Sequence, residues 1–361
     1  MKTLNVSTHI VFCALLAAQA RADFTFGDRV PIQSTLGVID PAYAEGPDCF
    51  SADGLEMYIE SDRPGGSGGF DLWVSKRTHV AEGWGPLKNM GSAINSSKDD
   101  NTCSLAADGL TLYFASSRSN GYGGSDLWHA KRTRISQPWG QAVNLGSRIN
   151  TDSIDACPRV SSNGLELYFD SSRPGGSGGR DLYVLMRGAP KDAWGDPVNV
   201  GPVVNSAYGD MNPTLSPDGL LLLFTDSYSA PFRPGGHGDC DVWMTRRTGL
   251  NEPWQTPSNL GPPINTSGRD VVACMSPDGL MLYGGTLQGA VWEMWQAPIL
   301  PIVDFNADRK VDLADMALLM DHWGTGDTLY DIGPYAWGDG KVDVEDLKVF
   351  IAEWEKENPH D

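Results

Sequence analysis

Oxygen-bearing side chains near the C-terminus have the spacing of a calcium-binding loop. The segment Asp304–Asp315 reads DFNADRKVDLAD and places such side chains at positions 1, 3, 5, 9 and 12. Ca²⁺ takes about six to eight oxygen ligands, and a loop of about twelve residues supplies them, one as the main-chain carbonyl of position 7. The candidate ligands are Asp304, Asn306, Asp308, Lys310, Asp312 and Asp315. We therefore expect one Ca²⁺ here, although Arg309 replaces the usual glycine and Asp315 the usual glutamate.

A second segment repeats the pattern further along the chain. Its candidate ligands are Asp331, Asp339, Asp343 and Asp346. Tyr335 and Trp337 occupy the first and third positions, where a calcium loop needs oxygen ligands. A site in this segment therefore requires a longer loop that begins at Asp331. The helix after the first loop is expected to bury Leu313, Met316, Leu319, Met320 and Trp323.

The paired loops and helices over residues 304–354 resemble a dockerin, a module that docks secreted enzymes and binding proteins onto cohesin domains. The resemblance implies calcium binding and a protein partner of the cohesin type. Positions 10 and 11, which read the partner in dockerins of the familiar type, hold Leu313-Ala314 and Val344-Glu345. The identity of the partner stays open, and so does the alternative that calcium only stabilises a small C-terminal domain.

Five further carboxylates recur at one position of an internal repeat, eight residues before an Asp-Gly or Asn-Gly turn. These residues, the acidic ring, are Glu45, Asp100, Asp155, Asp210 and Asp270. One interpretation is structural: each acid accepts hydrogen bonds from main-chain N–H groups or pairs with an arginine of a neighbouring blade, as buried carboxylates must. The other is a ring that binds a cation or a polyhydroxylated ligand.

A glycine-rich loop also recurs and carries an arginine and an aspartate. It reads SDRPGGSGGFDLW at Ser61–Trp73 and SSRPGGSGGRDLY at Ser171–Tyr183. We expect the two charged groups of each loop to close their own hairpin by charge-assisted hydrogen bonds, Arg63 with Asp71 being the first case. The loop joins two strands and no helix follows it, so it is not a phosphate-binding loop.

The repeat that positions these side chains is about 55 residues long. Its turn pairs are Asp53-Gly54, Asp108-Gly109, Asn163-Gly164, Asp218-Gly219 and Asp278-Gly279. Each unit contains short alternating runs broken by Gly and Pro, which predict a four-stranded antiparallel blade. Five turns predict a five-bladed β-propeller. The last unit lacks a fourth strand, and the segment Phe24–Leu36 is expected to supply it and close the ring.

The glycine-rich loops and the Asp-Leu-Trp strands resemble the WD40-like repeat of TolB-type bacterial propellers over residues 24–297. The resemblance implies the fold and a binding platform, but a propeller hosts many activities. The fourth copy carries an insertion at Ser227–Gly238, and the fifth lacks both the arginine and the glycine-rich loop (Thr286–Ala290).

Composition and the chain ends limit the functional classes. A net charge of −19 argues against nucleic-acid binding, which needs clustered Lys and Arg. The five cysteines after residue 22 have neither zinc spacing nor an even count, and we expect small buried thiols. No segment is long enough to span a membrane. The predicted divisions are a signal peptide at 1–22, the propeller at 23–297, a linker at 298–303, the dockerin-like domain at 304–354 and a tail at 355–361.

These observations favour an exported, extracellular, cell-surface or periplasmic protein that binds protein or carbohydrate without catalysis. The alternatives are a glycoside hydrolase and a lectin of polysaccharide degradation. A hydrolase needs two carboxyl groups in different environments, and no single glutamate is identified as its acid. A catalytic propeller is expected to differ from blade to blade at the channel mouth, so asymmetry distinguishes the classes.

Overall fold

The computed structural model describes residues 24–40, 42–43, 45–289, 291–308 and 310–357. The chain divides into two compact units. The propeller unit is Thr25–Leu300, and the C-terminal unit is Pro301–Asp361 together with the residues up to Phe24. The predicted signal peptide at 1–22 and the last four residues of the predicted tail lie outside the described residues. No helix among those described is long and apolar enough to cross a membrane.

The propeller unit begins with short elements and continues as repeated sheets. The first elements are β1 (Phe24–Phe26), β2 (Val30–Pro31) and one helical turn, α1 (Gln33–Leu36). Blade 1 contains β3 (Glu45–Phe50), β4 (Glu56–Ser61), β5 (Asp71–Lys76) and β6 (Lys88–Asn89). Blade 2 contains β7 (Asp100–Leu105), β8 (Thr111–Ser116), β9 (Asp126–Lys131) and β10 (Val143–Asn144).

The remaining blades follow the same order. Blade 3 contains β11 (Asp155–Val160), β12 (Glu166–Ser171), β13 (Asp181–Met186) and β14 (Val198–Asn199). Blade 4 contains β15 (Asp210–Leu215), β16 (Leu221–Asp226), β17 (Val242–Arg246) and β18 (Ser258–Asn259). Blade 5 contains β19 (Arg269–Met275), β20 (Met281–Gln288) and β21 (Val291–Pro301), with β1 and β2 both beside β21.

The described strands therefore form the predicted five blades, and their innermost strands contact one another in sequence until β19 meets β3. Closure by the N-terminal segment is partial, because two short strands and a helical turn replace the single strand expected over Phe24–Leu36. The fourth strands of the other blades are also only two residues long. The ring is thus closed mainly by its inner strands.

Both faces of the second strand are buried in each blade, although the sequence alternates. In blade 2, Leu112 and Phe114 are fully buried, and Tyr113 on the opposite face is only 3% exposed. Each blade is covered by a neighbour on either side, which buries both faces of this second strand. The described cysteines are all buried and free, as expected, and four of them lie on innermost strands.

Arginine side chains stack on tryptophans at the outer edges of blades 1 to 4. The pairs are Arg77 with Trp84, Arg132 with Trp139, Arg187 with Trp194 and Arg247 with Trp254, at 4.3, 4.5, 3.9 and 4.5 Å from the ring centroids. A guanidinium over an indole face gains cation–π attraction as well as apolar contact. The recurring tryptophans therefore pack within the scaffold.

The C-terminal unit contains α2 (Leu313–Asp321) and α3 (Val344–Glu357). Asp312 and Asp315 form a capping box that starts α2. The core of the unit contains Phe305, Val311, Leu319, Tyr330, Ile332, Val342 and Phe350. The expected burial was wrong for Leu313, Met320 and Trp323, which are 66%, 38% and 44% exposed. Of the five side chains expected to be buried, Leu319 is the one that is fully buried, because this two-helix unit is too small to cover a wider face.

Candidate functional site

The acidic ring lies at or next to the start of the five innermost strands, and every member is in an ion pair. The pairs are Arg63–Glu45 (2.7 Å), Arg118–Asp100 (2.5 Å), Arg173–Asp155 (2.6 Å), Arg233–Asp210 (3.0 Å) and Arg29–Asp270 (2.9 Å). Each acid also accepts a main-chain N–H from the preceding loop. These carboxylates are therefore neutralised within their own blades.

The predicted pairing within the glycine-rich loops was wrong. Arg63 bonds to the ring acid of its blade, and Asp71 instead accepts the N–H groups of Ser67 (2.5 Å) and Gly68 (3.1 Å). The side-chain amide of Asn89 donates a third hydrogen bond to Asp71 at 2.8 Å. The aspartate thus holds the loop backbone, which leaves the arginine free to reach the innermost strand.

The fifth blade has no loop arginine, and the N-terminal segment replaces it. Arg29 lies between β1 and β2 and donates to Asp270 at 2.9 Å and to Thr286 Oγ1 at 2.6 Å. Its guanidinium lies 5.3 Å from the ring centre of Trp295. The loop arginines of blades 1 to 4 likewise lie over aromatic rings, those of Trp73, Trp128, Tyr183 and Trp243. The same acid–arginine–aromatic arrangement is therefore present in all five blades.

A cavity of about 270 Å³ lies on the axis of the ring, on the side where the innermost strands begin. We call it the channel cavity. All five innermost strands contribute to its wall, through residues such as Asp48, Thr102, Arg159, Asn212 and Val272. A concave site with convergent polar groups is the usual form of a ligand-binding pocket.

Arg159 closes the inner end of this cavity. Its Nη1 donates to the carbonyls of Asp48 (2.5 Å) and Cys103 (3.1 Å), its Nε to Pro213 (3.1 Å) and its Nη2 to Ala273 (2.8 Å). The four acceptors occupy the same position of the repeat, one in each of the other blades. One buried guanidinium of blade 3 thus binds the remaining four blades at the axis.

Two carboxyl groups of blade 1 face the cavity. Asp48 is 6% exposed, and its Oδ2 lies 3.6 Å from the thiol of Cys103. Glu60 accepts the N–H of Thr102 at 2.9 Å. Burial raises the pKa of both carboxyl groups; the negative charge of Glu60 raises the pKa of Asp48 further, whereas Arg159 lowers both.

Blade 3 carries a related but different group. Asp170 occupies the position of Glu60 in the repeat, accepts the N–H of Asn212 at 3.1 Å and forms an ion pair with Arg180. Burial raises the pKa of Asp170 despite this cation. Asn212 also donates to the hydroxyl of Tyr228 at 2.7 Å, so the insertion of blade 4 reaches the cavity.

Large side chains form the rest of the wall. They are Tyr43, Phe70, Tyr228, Trp292 and Met294. Trp292 is 40% exposed and Tyr228 36% exposed, and they come from blade 5 and from the blade 4 insertion, the two places where the repeat breaks. The insertion of blade 4 and the altered fifth blade therefore both contribute side chains to this wall.

Sequence reasoning missed Asp48, Glu60, Arg159 and Asp170. A position-by-position alignment of the five repeats contains the signal. The position of Arg159 is held by Cys49, Ser104, Thr214 and Cys274 in the other blades. The position of Glu60 is held by Ala115, Asp170, Thr225 and Gly285. A charged residue that interrupts a run of small residues on an inner strand marks a functional or strained position.

In the C-terminal unit, the predicted ligands of the first loop lie around a common set of main-chain groups. Asp304 Oδ1 and Asn306 Oδ1 both accept the N–H of Asp308, at 3.1 and 2.9 Å. Asp315 is buried and accepts the N–H groups of Asn306 and Asp312, both at 3.1 Å. The loop therefore folds back on its own side-chain oxygens.

The second loop has the same arrangement with a longer span. Asp331 accepts the N–H groups of Asp339 (2.8 Å) and Gly340 (2.6 Å). Asp304 accepts the N–H of Asp308 in the same way in the first loop. Asp346 is buried and accepts the N–H of Asp343 at 2.5 Å. Burial raises the pKa of Asp331 to about 6.

The remaining loop positions are occupied as follows. The N–H of Lys310 donates to Asp308 at 3.0 Å, and Arg309 lies outside the described residues. Tyr335 and Trp337 stack with their centroids 5.0 Å apart. Within the part of the chain that the structure describes, no three His, Cys, Asp or Glu side chains are grouped as metal ligands would be.

Comparisons with known proteins identify no family for this chain. No family model and no curated protein matches the chain. Similar solved structures include TolB from Acinetobacter baumannii, with 15% identity, a TM-score of 0.46 and coverage of 73% of this chain and 56% of that one. An α-L-arabinofuranosidase from Lactobacillus brevis has 12% identity, a TM-score of 0.45 and coverage of 67% and 86%. An exo-β-1,3-galactanase from Phanerochaete chrysosporium has 11% identity, a TM-score of 0.48 and coverage of 79% of this chain and 65% of that one. With TM-scores below 0.5 and identities of 11–15%, these likenesses decide nothing about this chain, and its fold is described from its own strands.

Proposed function

We propose that this chain is an exported, non-catalytic binding protein whose propeller holds the end of a carbohydrate chain in the channel cavity. The observation that carries the proposal is the cavity itself, with hydrogen-bonding groups at its inner end and exposed aromatic side chains at its wall. Glu60 and Asn212 offer polar atoms, and Trp292 offers a ring face. Sugars present hydroxyls and apolar ring faces together, and such a wall complements both.

The size of the cavity favours a small ligand or a chain end. Ligand pockets are commonly about 300–1,000 Å³, and this one is about 270 Å³. A more open groove shares Ile39, Asp40 and Tyr43 with it. A terminal sugar fits the cavity, and the next units of the chain fit the groove.

The environments of the carboxyl groups favour binding over hydrolysis. A glycoside hydrolase needs one protonated acid and one ionised base or nucleophile. Burial raises the pKa of Asp48, Glu60 and Asp170 alike. These three groups therefore do not form a pair of one protonated acid and one ionised base or nucleophile. The blade-to-blade asymmetry that they create is the feature that keeps the hydrolase as the second candidate.

A binding assay with a panel of oligosaccharides tests the proposal. Micromolar binding to at least one member is expected for the full chain, and Trp292→Ala should weaken it about tenfold or more. Tyr122→Ala is the matched control, because Tyr122 is a 52%-exposed aromatic residue outside the cavity. Absence of binding across the panel contradicts the proposal. Sugar release that Glu60→Gln abolishes establishes the hydrolase instead.

For the C-terminal unit, we propose that it binds Ca²⁺ and tethers the chain to a protein partner, with a cohesin domain as the candidate. The spacing of Asp304, Asn306 and Asp308 and their shared contacts support the first site. Asp331 supports the second, through its bonds to the facing segment.

Calorimetric titration of Ca²⁺ tests this part. The change Asp304→Ala with Asp308→Ala should abolish micromolar binding at the first site. Asp321→Ala with Glu355→Ala removes the same charge at exposed positions outside the loops and should not alter it. A purified cohesin that binds only with Ca²⁺ supports the tether; calcium binding without a cohesin complex leaves a stabilising role alone.

A further inference from the structure

Two carboxyl groups of the propeller differ from the acidic ring in lacking a cation. Every ring acid is paired with an arginine at 3.0 Å or less. Among the described residues, neither Asp48 nor Glu60 has an ion-pair partner within 4 Å. Asp48 is more than nine-tenths buried, with the thiol and main-chain N–H of Cys103 as its contacts. Buried carboxylates are normally paired, so these two groups lack a positive charge.

The nearest cation does not meet that need. Arg159 directs Nε, Nη1 and Nη2 at main-chain carbonyls of the other blades. The carboxyl groups that line the cavity are Asp40, Glu45, Asp48 and Glu60, and Arg63 neutralises Glu45. Burial raises the pKa of Asp48 and Glu60, and a cation bound beside them would favour their ionised forms.

The unpaired carboxyl groups lie in the same cavity as the exposed ring of Trp292. An ammonium group has three donors for carboxylate oxygens and is attracted to the face of an indole. A neutral sugar hydroxyl satisfies the oxygens less well, because a charge-assisted hydrogen bond is roughly twice as strong. The chemistry of the wall thus fits a positively charged ligand.

We propose that the ligand of the channel cavity is a carbohydrate end that carries a protonated amine, with the ammonium on Glu60 and Asp48 and the sugar ring against Trp292. This inference rests on the proposed carbohydrate-binding function and names its ligand class. The free amine is the distinguishing group, since an N-acetylated sugar is neutral and bulkier at the same atom.

The test is calorimetric titration of the full chain with three β-1,4-linked hexamers of equal length. They are the fully deacetylated glucosamine hexamer, the N-acetylated hexamer and the glucose hexamer. The amine-bearing hexamer should bind at least tenfold more tightly than either neutral one. Glu60→Gln preserves size and should remove that preference, whereas Glu82→Gln, an exposed glutamate outside the cavity, should preserve it.

Because the chain carries a charge of −19, a lysine hexamer serves as the control for non-specific attraction. Equal binding of the lysine and glucosamine hexamers, or an amine preference that survives Glu60→Gln combined with Asp48→Asn, overturns the inference. Tight binding of a neutral hexamer that Trp292→Ala weakens, with no preference for the amine, overturns it while the proposed function stands. Failure of the glucosamine hexamer to bind also overturns it, and the wider panel then decides the proposed function.

Discussion

Replacement of Arg159 by leucine should be among the most destabilising single changes in the propeller. The substitution keeps an apolar stem of similar reach but removes the group that donates to four main-chain carbonyls. A buried acceptor left without a donor costs about 1–3 kcal/mol. Four acceptors at the lower figure give a loss of about 4 kcal/mol in the free energy of unfolding, which is a large part of the stability of a typical domain.

The assay is denaturant unfolding followed by tryptophan fluorescence. The slope of the free energy of unfolding against denaturant concentration is compared between variants. Arg148→Leu is the matched control, because its ion pair with Asp196 is 62% and 70% exposed and should be worth less than about 1 kcal/mol. Arg159→Lys should give an intermediate loss, since an ammonium cannot reach four acceptors that a planar guanidinium spans. A loss below about 1 kcal/mol for Arg159→Leu would refute the reasoning, because water would then be satisfying the carbonyls.

Three further predictions concern the blades. Burial opposes ionisation of Glu56, but hydrogen bonds from the buried Arg132 of blade 2 and from other neighbours lower its pKa to about 2. Its contribution to the free energy of unfolding is therefore complete above about pH 4.5 and is lost as the pH falls towards 2. Glu56→Gln should abolish that pH dependence in urea unfolding and cost about 3 kcal/mol. Gly178→Ala should destabilise by about 1–3 kcal/mol in thermal unfolding, because its Cβ meets a main-chain oxygen on the segment that leads into blade 4. Gly83→Ala, with open space around its Cβ, should change stability by less than about 0.5 kcal/mol. The thiols of Cys49 and Cys103, buried and 3.8 Å apart, should resist a thiol reagent until the protein unfolds, and rapid labelling of the native state would contradict this.

The repeat made the fold predictable, because a self-similar unit of this length must bury its faces against its neighbours. The five turn pairs therefore led to five blades. The N-terminal contribution was harder to predict in detail. Pro31 has no N–H to continue the pairing of β2, and the bond from Arg29 to Asp270 joins residues 241 positions apart.

The channel cavity was less accessible to sequence reasoning. The groups that lower the pKa of its carboxyl groups come from other blades. They are the N–H of Thr102 for Glu60, and Arg159 and the N–H of Cys103 for Asp48. Such contacts follow from the radius of the closed ring and have no local pattern. Regular positions such as the acidic ring were easy to find, and the exceptional residues required the three-dimensional arrangement.

The position of the N-terminal strands has a consequence for the order of folding. β1 and β2 pair with β21, and Gly27 donates to the carbonyl of Pro298 at 2.9 Å. The first strands of the propeller therefore find their partner only after nearly the whole propeller has been synthesised. Until then both ends of the blade array present open strand edges, which are sites of aggregation. Pairing across such a separation is slow, so ring closure is expected to be the last step of folding. A chain truncated before β21 should therefore accumulate as an open array of blades that is prone to aggregation.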